Sequence, residues 1–436
     1  MDAIEKRICQ LIDENQDKLY AFAEDIYCHG ERGYSEFRTA EKTAAFLKEL
    51  GLSVQEGLAI TGVKGRMEQK EGPTVAIIGE LDGILCSTHP QAVPETGLSH
   101  ACGHHAQLTA MLGATLALAD EEVRKSLDGN VVAFAVPAEE YQAAHIREEL
   151  LGSGKVCCLL GKSELLRLGE FDDIDMALSN HTHMIAAGAD CDLLLGNSAA
   201  TGYIGKTIIV HGKGAHAAAA PHAGINALNA AALGLSALGM VRETFQEKDN
   251  VRVHPVVREG GQAVNNVPDR AVLDMMVRAI TMDAMQQASK KVDRAFEGGA
   301  WALGATTTVE NTQGALPVLK RPADKVMKEA AALLEGVVVK DAPMDMNNTA
   351  STDLGDLTHR MPVLNFTFGG FVGKLHGDDF KITDPYKMYL APAKLMALTI
   401  YRLLKDQAQE AKAILDDFTP ALTKQEYLDY IESMRG

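Results

Sequence analysis

Three apolar segments of strand length each end in charged or imidazole side chains, and this pattern constrains the fold more than any other feature of the sequence. They are PTVAIIGELDG (73–83), NVVAFAVPAEE (130–140) and DMALSNHTH (175–183). Near-continuous apolar runs are typical of buried parallel strands, and α/β enzymes bind ligands where such strands end. Helical patterns such as TAEKTAAFLKELG (39–51) and AQLTAMLGATLALA (106–119) alternate with these segments. The sequence therefore predicts an α/β fold with its polar groups at one edge of a sheet.

The character of the sequence changes near residue 200 and changes back near residue 315. Between these points come a strand, a helix, two paired strands, a helix and a strand: GKTIIVHGKG, INALNAAALGLSALGMV, NVRVHPVV, AVLDMMVRAI, MDAMQQASKKVDRAF and ATTTVENTQG. The order β-α-β-β-α-β is that of a ferredoxin-like unit. A chain of 436 residues is also too long for one ordinary core. We therefore predict a discontinuous α/β domain of residues 1–199 and 315–436, with an inserted α+β domain of residues 200–314.

Charge and cysteine content exclude several classes of partner and compartment. The formal net charge of −17 argues against nucleic acid and anionic membranes, because phosphate binding needs clustered Lys and Arg side chains. The seven cysteines are irregularly spaced, unlike those of a small secreted disulfide scaffold. Reduced thiols in a cytoplasmic protein are the prediction.

Neither the first residues nor the uncharged window 223–241 resembles a membrane or targeting segment. Ile4, Ile8, Leu11 and Ile12 recur at helical spacing between charges, which predicts an amphipathic helix and not a signal peptide. The window 223–241 lacks charges but is rich in alanine and contains polar side chains, so a packed helix is favoured over a membrane span.

The segment SHACGHHAQ (99–107) concentrates potential metal ligands, with Cys102 and His104 one residue apart. In an extended segment such a pair points the same way and could hold one ion or two neighbouring ions. A C-x-H pair alone is weak evidence for a metal site, because a buried structural cysteine beside a hydrogen-bonded histidine is common. Further candidates lie at other strand ends or in a late turn: Glu139 and Glu140 in PAEE, His181 and His183 in NHTH, and His376 in KLHGDDF. Thiolate, imidazole and carboxylate groups together suit Zn²⁺ or a similar divalent ion.

Taken together, short motifs spread along the chain resemble those of the M20 family of co-catalytic metallopeptidases, in particular its amidohydrolase branch. They are HGERGYSEFRTA (29–40), GELDGI (79–84), HACGH (100–104), PAEE (137–140), HGKGAHAAAAPHAGINAL (211–228), STDLGDL (351–357) and LHGDDF (375–380). That branch includes aminoacylase-like and auxin-conjugate hydrolases and the subunits of p-aminobenzoyl-glutamate hydrolase. The resemblance implies a mixed-sheet catalytic domain of the zinc-peptidase type, with the inserted ferredoxin-like domain acting as a dimerisation or lid domain.

Residue by residue, the resemblance implies a dinuclear site with two divalent ions, Zn²⁺ or Mn²⁺. Cys102 would bridge the ions as a thiolate, and the other ligands would be His104, Glu140, His181 and His376. Glu139 would be the general base. From its place two residues after Glu80, Asp82 is predicted to orient the site and not to bind metal. Two cations that polarise a carbonyl and acidify water, beside a carboxylate that takes the proton, form a hydrolytic site.

In the inserted domain the resemblance implies three further roles. His216 would stabilise the oxyanion in the partner subunit's active site, Arg278 would hold a substrate carboxylate, and Asn266 would lie near the substrate. The implied function is hydrolysis of the amide bond of N-acyl or N-aminoacyl amino acids, including dipeptides or p-aminobenzoyl-glutamate-like compounds, by a homodimer. The alternative is a catalytically impaired ligand-binding protein on the same fold.

Several points stay open at the level of sequence. His183 could be the ligand instead of His181, and Arg278 could instead form an ion pair with Asp274 or another acid. A Cys–His protease would leave the glutamate pair and the other histidines without a role. The family commonly has Asp or Asn directly after C-G-H, where this chain has His105. A change there bears on activity and metal preference, because groups that contact ligands tune the metal.

Overall fold

The computed structural model describes residues 1–183 and 191–434, which form two compact units. The first unit comprises Met1–Ser198, Leu319–Met346 and Leu357–Ala421, and the second comprises Ala199–Val318, Asn347–Asp356 and Leu422–Gly436. The second unit thus extends past the predicted residues 200–314, because Asn347–Asn348 pairs in parallel with Ala199–Ala200. The catalytic and dimerisation roles predicted for the two domains stay predictions.

The strands in chain order are β1 (Ser53–Leu58), β2 (Gly62–Arg66), β3 (Thr74–Glu80), β4 (Ile84–Leu85), β5 (Leu98–Ser99), β6 (Asn130–Val136), β7 (Met176–Thr182), β8 (Leu193–Asn197), β9 (Ala199–Ala200), β10 (Gly202–His211), β11 (Arg252–Glu259), β12 (Arg270–Ala279), β13 (Thr306–Gln313), β14 (Arg321–Pro322), β15 (Val339–Asp341), β16 (Asn347–Asn348), β17 (Val363–Phe368), β18 (Phe371–Val372) and β19 (Lys381–Ile382).

The α-helices are α1 (Ala3–Glu14), α2 (Gln16–Tyr27), α3 (Phe37–Glu49), α4 (His104–Ala119), α5 (Glu121–Lys125), α6 (Ala144–Gly152), α7 (Gly161–Leu168), α8 (Ala227–Val241), α9 (Met282–Ala302), α10 (Lys325–Ala331), α11 (Leu354–Thr358), α12 (Ala391–Leu404), α13 (Gln409–Asp417) and α14 (Lys424–Ser433).

The first unit is built on a mixed sheet with the strand order β1-β2-β6-β3-β7-β17-β8-β14, and β15 pairs with β8. Its central strands β6, β3, β7 and β17 are mutually parallel. Every residue of β3 and β6 is buried, which explains their uninterrupted apolar sequences. The three predicted strands and the α/β fold class are confirmed. Because the parallel strands end at the same edge, the polar residues that follow them are brought together there.

Helix α4 lies in the middle of the first unit and is buried from His104 to Leu118. It packs against β3 and against helices α1, α2 and α12. Gly113 permits the closest approach, since a Cβ atom there would lie 2.9 Å from the Cβ atom of Ala393 and clash. Interiors packed at this density leave little room for movement. The first residue of α4, His104, is therefore held by a rigid element.

The second unit contains a four-stranded antiparallel sheet with the order β11-β12-β10-β13, flanked by α8 and α9. This is the predicted ferredoxin-like fold. The two helices approach closely where Gly299 meets Gly234, since a Cβ atom on Gly299 would lie 2.5 Å from the Gly234 nitrogen. At the end of α9 the side chain of Trp301 is 83% exposed.

The alanine-rich window is the packed helix that the sequence predicts. Ala227, Ala230, Ala231, Gly234 and Leu238 of α8 are buried in the core of the second unit. Within the described residues, no helix combines the length and the apolar character that crossing a bilayer requires.

Candidate metal centre

The candidate ligands lie where the parallel strands of the first unit end. Glu80 is the last residue of β3, and Glu139 and Glu140 come shortly after β6. His181 is the penultimate residue of β7, and His376 lies in the loop that follows β17 and β18. The sequence reasoning that placed polar clusters at one sheet edge is therefore supported by the topology.

Cys102 and His104 are brought together by a turn, and the extended segment expected from the sequence is wrong. Gly103 has φ +90°, a left-handed conformation that favours glycine, and α4 begins directly after it. A Cβ atom on Gly103 would also lie 2.2 Å from the Thr182 side chain. The Thr182 hydroxyl donates to the Cys102 carbonyl at 2.7 Å. The turn is thereby fixed against the end of β7, beside His181.

The potential donor atoms form groups that share the Cys102 thiol. One group is Cys102, His104 and His181, and another is Cys102, Glu140 and His376. Within each group the donor atoms all lie within 4.8 Å of one another. Glu139 offers a carboxylate oxygen to a further group with His104 and Glu140. The structure thus brings together every ligand implied for the first unit, and the implied base lies beside them.

The ionisable side chains at this centre shift one another's pKa values. Burial and Glu140 raise the pKa of Cys102, but the imidazoles of His104 and His181 outweigh them and lower this pKa to about 6. Burial alone would lower the pKa of His376, yet the neighbouring Cys102 thiolate and Glu140 carboxylate, which stabilise the protonated ring, raise it to about 11. These groups are close enough to share protons, and a divalent ion binds by displacing such protons. The residues present therefore fit divalent metal ions.

His104 is oriented by Asp82, which is completely buried. The His104 Nδ1 atom lies 2.9 Å from the Asp82 carbonyl oxygen and 3.2 Å from its Oδ1 atom. The other carboxylate oxygen of Asp82 accepts from the Glu140 N–H at 2.9 Å. Carboxylates that orient a ligating imidazole are common at metal sites. These contacts support the orienting role predicted for Asp82.

The structure distinguishes His181 from His183. The His181 Nε2 atom lies 3.4 Å from the Cys102 sulfur. His183 lies beyond the end of β7, and its Nδ1 atom is 2.7 Å from the Thr367 hydroxyl. His181 is therefore the better candidate ligand.

His105 occupies an aromatic pocket on the far side of the ligand turn. Its ring lies 4.6 Å from that of Tyr27, and its Nε2 atom lies 3.3 Å from the Tyr389 hydroxyl. Burial and the neighbouring His100 hold the pKa of His105 well below its usual value. The imidazole is thus neutral and adds no positive charge beside His104.

The three site residues implied for the inserted domain lie in the second unit. His216 is exposed and forms an isolated β-bridge with Asn266, so these two are adjacent. Arg278 of β12 donates to the Ser351 hydroxyl at 2.5 Å and lies over the Tyr203 ring. Among residues 1–183 and 191–434, no carboxylate forms an ion pair with Arg278, whereas Asp274 pairs with Arg258 at 3.6 Å.

Sequence reasoning assigned no role to Glu36, which is completely buried behind the glutamate pair. Its carboxylate accepts from the Thr61 hydroxyl at 2.6 Å and from the Ala138 N–H at 2.8 Å. Ala138 has φ +48°, an unfavourable conformation for a residue with a Cβ atom. Glu36 therefore helps to hold the turn that presents Glu139 and Glu140.

Glu36→Gln is expected to change how stability depends on pH. Burial and the charge of Asp82 raise the pKa of Glu36 from 4.5 to about 8. A carboxyl group with a raised pKa stabilises the fold fully below its unfolded pKa, and this stability is lost as pH rises toward about 8. The free energy of unfolding of the wild type should therefore fall relative to Glu36→Gln between pH 5 and pH 8.5, by on the order of a few kcal/mol. Urea unfolding at both pH values measures this, and a difference that does not vary with pH would contradict it.

Comparisons with known proteins agree with this architecture. Residues 198–300 match the family model of the peptidase dimerisation domain. The Xaa-Arg dipeptidase of Mus musculus is 26% identical over 97% of this chain and 91% of its own length. One of the p-aminobenzoyl-glutamate hydrolase subunits of Escherichia coli is 28% identical over 71% of this chain and 60% of its own length. The solved structure of a dinuclear metal-binding M20 peptidase from Bacillus subtilis aligns with a TM-score of 0.66 at 20% identity, covering 90% and 99% of the two chains.

The family match and these relatives support an M20 assignment for this chain. M20 proteins are peptidases and amidohydrolases, so this chain is a hydrolase that acts on carbon–nitrogen bonds. The resemblance deduced from short motifs is therefore confirmed. The chain also carries candidate ligand groups for divalent metal, as described above.

Proposed function

We propose that this M20 protein is a dinuclear metal-dependent amidohydrolase. Its substrates would be N-acyl or N-aminoacyl amino acids, including dipeptides and p-aminobenzoyl-glutamate-like compounds. The observation that carries the proposal is the sharing of Cys102 between two groups of donors, with Glu139 beside them. The names of the relatives support the substrate class, since one is a dipeptidase and another belongs to a p-aminobenzoyl-glutamate hydrolase.

In this proposal the ligands are Cys102, His104, Glu140, His181 and His376, and the ions are Zn²⁺ or Mn²⁺. Bound divalent ions supply Lewis-acid chemistry, which polarises the amide carbonyl and acidifies water. The Glu139 carboxylate takes a proton from the attacking water and returns it to the leaving amine as the amide bond breaks. Asp82 holds the His104 ring in the required orientation through the contacts described above.

The proposed substrate-binding residues are Arg278 and Asn266 of the second unit. Arg278 is suited to a carboxylate because its planar guanidinium can donate two parallel hydrogen bonds. Its present partners, the Ser351 hydroxyl and the Tyr203 ring, carry no negative charge at neutral pH. A substrate carboxylate would therefore meet a cation that no acidic side chain already neutralises among the described residues.

A hydrolysis panel tests the function and the role of Arg278 together. We expect the wild type, with two metal ions per chain by elemental analysis, to hydrolyse N-acyl amino acids or dipeptides. Arg278→Ala should raise KM strongly for these acids and much less for the same compounds with the carboxylate converted to an amide. Equal losses on both would make Arg278 a structural residue. A folded, metal-loaded wild type that cleaves none of the panel would favour the ligand-binding alternative.

We further propose a homodimer assembled through the second unit, in which His216 serves the partner's site. Strand β11 is an edge strand that exposes Val256 and Val257, and an exposed apolar edge is suited to pairing with a second copy. A donor to a developing oxyanion is often worth about 2.7–4 kcal/mol of transition-state stabilisation. His216 is exposed, so its ring is accessible to another subunit.

Co-expression of His216→Ala with Glu139→Ala is expected to restore about a quarter of wild-type activity. Random pairing makes half of the dimers mixed, and each mixed dimer would hold one intact site if His216 acts across the dimer. If His216 acts within its own chain, every site lacks one group and no activity returns. Native mass spectrometry verifies that mixed dimers have formed, and their inactivity would disprove action across the dimer.

A further inference from the structure

Strands β11 and β12 of the second unit carry more arginines than acids. They contain four arginines and two acids, namely Arg252, Arg258, Arg270 and Arg278 with Glu259 and Asp274. A carboxylate oxygen of Asp274 lies 3.6 Å from a guanidinium nitrogen of Arg258. Glu259 forms an ion pair with Arg270. Both acids are thus already paired, and among the described residues no carboxylate forms an ion pair with either of the other two arginines.

These other two arginines, Arg252 and Arg278, lie directly opposite each other on the antiparallel strands β11 and β12. Side chains of opposite residues point to the same face of a sheet, with Cβ atoms about 4.5–5.5 Å apart. Tyr203 of β10 lies opposite Arg278 on its other side, so a phenol ring and two guanidinium groups form one row across three strands. Like charges placed directly opposite destabilise a sheet. Binding of an anion with two negative groups would offset this repulsion.

The two guanidinium groups differ in how they are held. Arg278 is half-buried, lies over the Tyr203 ring and donates to the Ser351 hydroxyl at 2.5 Å. Burial lowers the pKa of Arg278, because no carboxylate offsets the loss of hydration. Arg252 is exposed and donates to the neighbouring Val251 carbonyl at 3.1 Å, a contact that uses only part of its guanidinium. Edge pairing of β11 with a second copy would use backbone groups and not this side chain.

We propose that Arg252 is a specificity-determining residue, which selects amides whose released amino acid carries a second carboxylate in its side chain. The proposal rests on the proposed function, because it extends the carboxylate site of Arg278. Arg278 would hold the α-carboxylate and Arg252 the side-chain carboxylate, each through charge-assisted hydrogen bonds. Substrates of this class release glutamate or aspartate. A basic side chain would instead be repelled by Arg252.

The competing explanation is that Arg252 is an ordinary solvated surface arginine. Such a residue would not distinguish a side-chain carboxylate from an amide of the same shape. The two explanations therefore differ in how a second carboxylate on the substrate changes KM. N-acyl-glutamate and N-acyl-glutamine form the matched pair for this comparison, because their side chains differ in charge but hardly in size.

The test measures hydrolysis of this pair by the full-length protein, with the acyl group of the best substrate in the hydrolysis panel. We expect the wild-type KM for the glutamate compound to be about 10-fold lower, the effect of a charge-assisted hydrogen bond at the low end of its usual range. Arg252→Gln should abolish this difference and leave kcat/KM for the glutamine compound unchanged. Arg252→Lys keeps the charge and should retain part of the difference. Arg258→Gln is the matched control and should keep all of it, because Arg258 is already paired with Asp274.

Three results would overturn the role of Arg252. They are a wild type without the preference, a preference that Arg252→Gln leaves intact, and an equal loss on both substrates in Arg252→Gln. Calorimetric titration with N-acetyl-glutamate and N-acetyl-glutamine measures the same preference as a difference in Kd, without catalysis. A wild type that hydrolyses no amide, yet binds N-acetyl-glutamate more tightly in a manner that Arg252→Gln abolishes, would therefore contradict the proposed function alone.

Discussion

Glu139→Gln is expected to keep both metal ions and to lower turnover by about 10²–10⁴, the usual contribution of a general base. The substitution preserves the shape of the side chain but removes its ability to take a proton from water. KM should change little, because the effect falls on the chemical step and not on substrate binding. Steady-state kinetics on a substrate found in the panel, with elemental analysis of the same sample, measures both quantities.

Glu140→Gln is the matched control, since the two glutamates are adjacent and similarly buried. Glu140 belongs to the donor group of Cys102 and His376, so its loss should weaken or empty one metal position. Excess metal in the assay should then recover part of the activity, whereas it should not rescue Glu139→Gln. If Glu139→Gln loses metal while Glu140→Gln keeps it, the two roles must be exchanged.

Cys102→Ser is expected to leave fewer than two ions per chain and to reduce hydrolysis to background. Cys102 belongs to both principal donor groups, so its loss removes a ligand from each position. A serine hydroxyl stays protonated at neutral pH and cannot replace a bridging thiolate. Cys158 is also buried in the first unit but lies outside these groups, so Cys158→Ser should retain both ions. Two ions with full activity in Cys102→Ser would rule out the bridging role.

Much of the candidate metal centre can be predicted from the sequence, because local sequence patterns identify the strands and loops that carry its ligands. The apolar runs of β3, β6 and β7 identify buried strands, and parallel strands place their carboxyl ends together. Glu139, Glu140 and His181 are therefore expected near one another before any coordinates are known. Cys102 and His104 are joined to them by the strand–loop–helix order, although the turn at Gly103 is not the extended segment that spacing suggested.

The remaining contacts depend on residues far apart in the chain, and no periodicity reveals them. Glu80 and Lys162 are separated by 82 positions, and a buried lysine at the start of a helix looks in the sequence like an ordinary surface residue. The support of Ala138 by Glu36 spans 102 positions. The neutral state of His105 likewise comes from burial and from rings brought together by tertiary packing. These features arise only when the elements are packed.

Trp301 gives the molecule a natural optical label. It is the single tryptophan of the sequence, and it is solvent-exposed at the end of α9 in the second unit. Fluorescence excited at wavelengths that tryptophan absorbs and tyrosine does not therefore comes from Trp301 alone. Denaturation of the first unit alone should leave that emission nearly unchanged, whereas covering the end of α9 by another subunit should shift it to shorter wavelength. Emission from this one indole thus reports on the covering of the end of α9 by another subunit without an added dye.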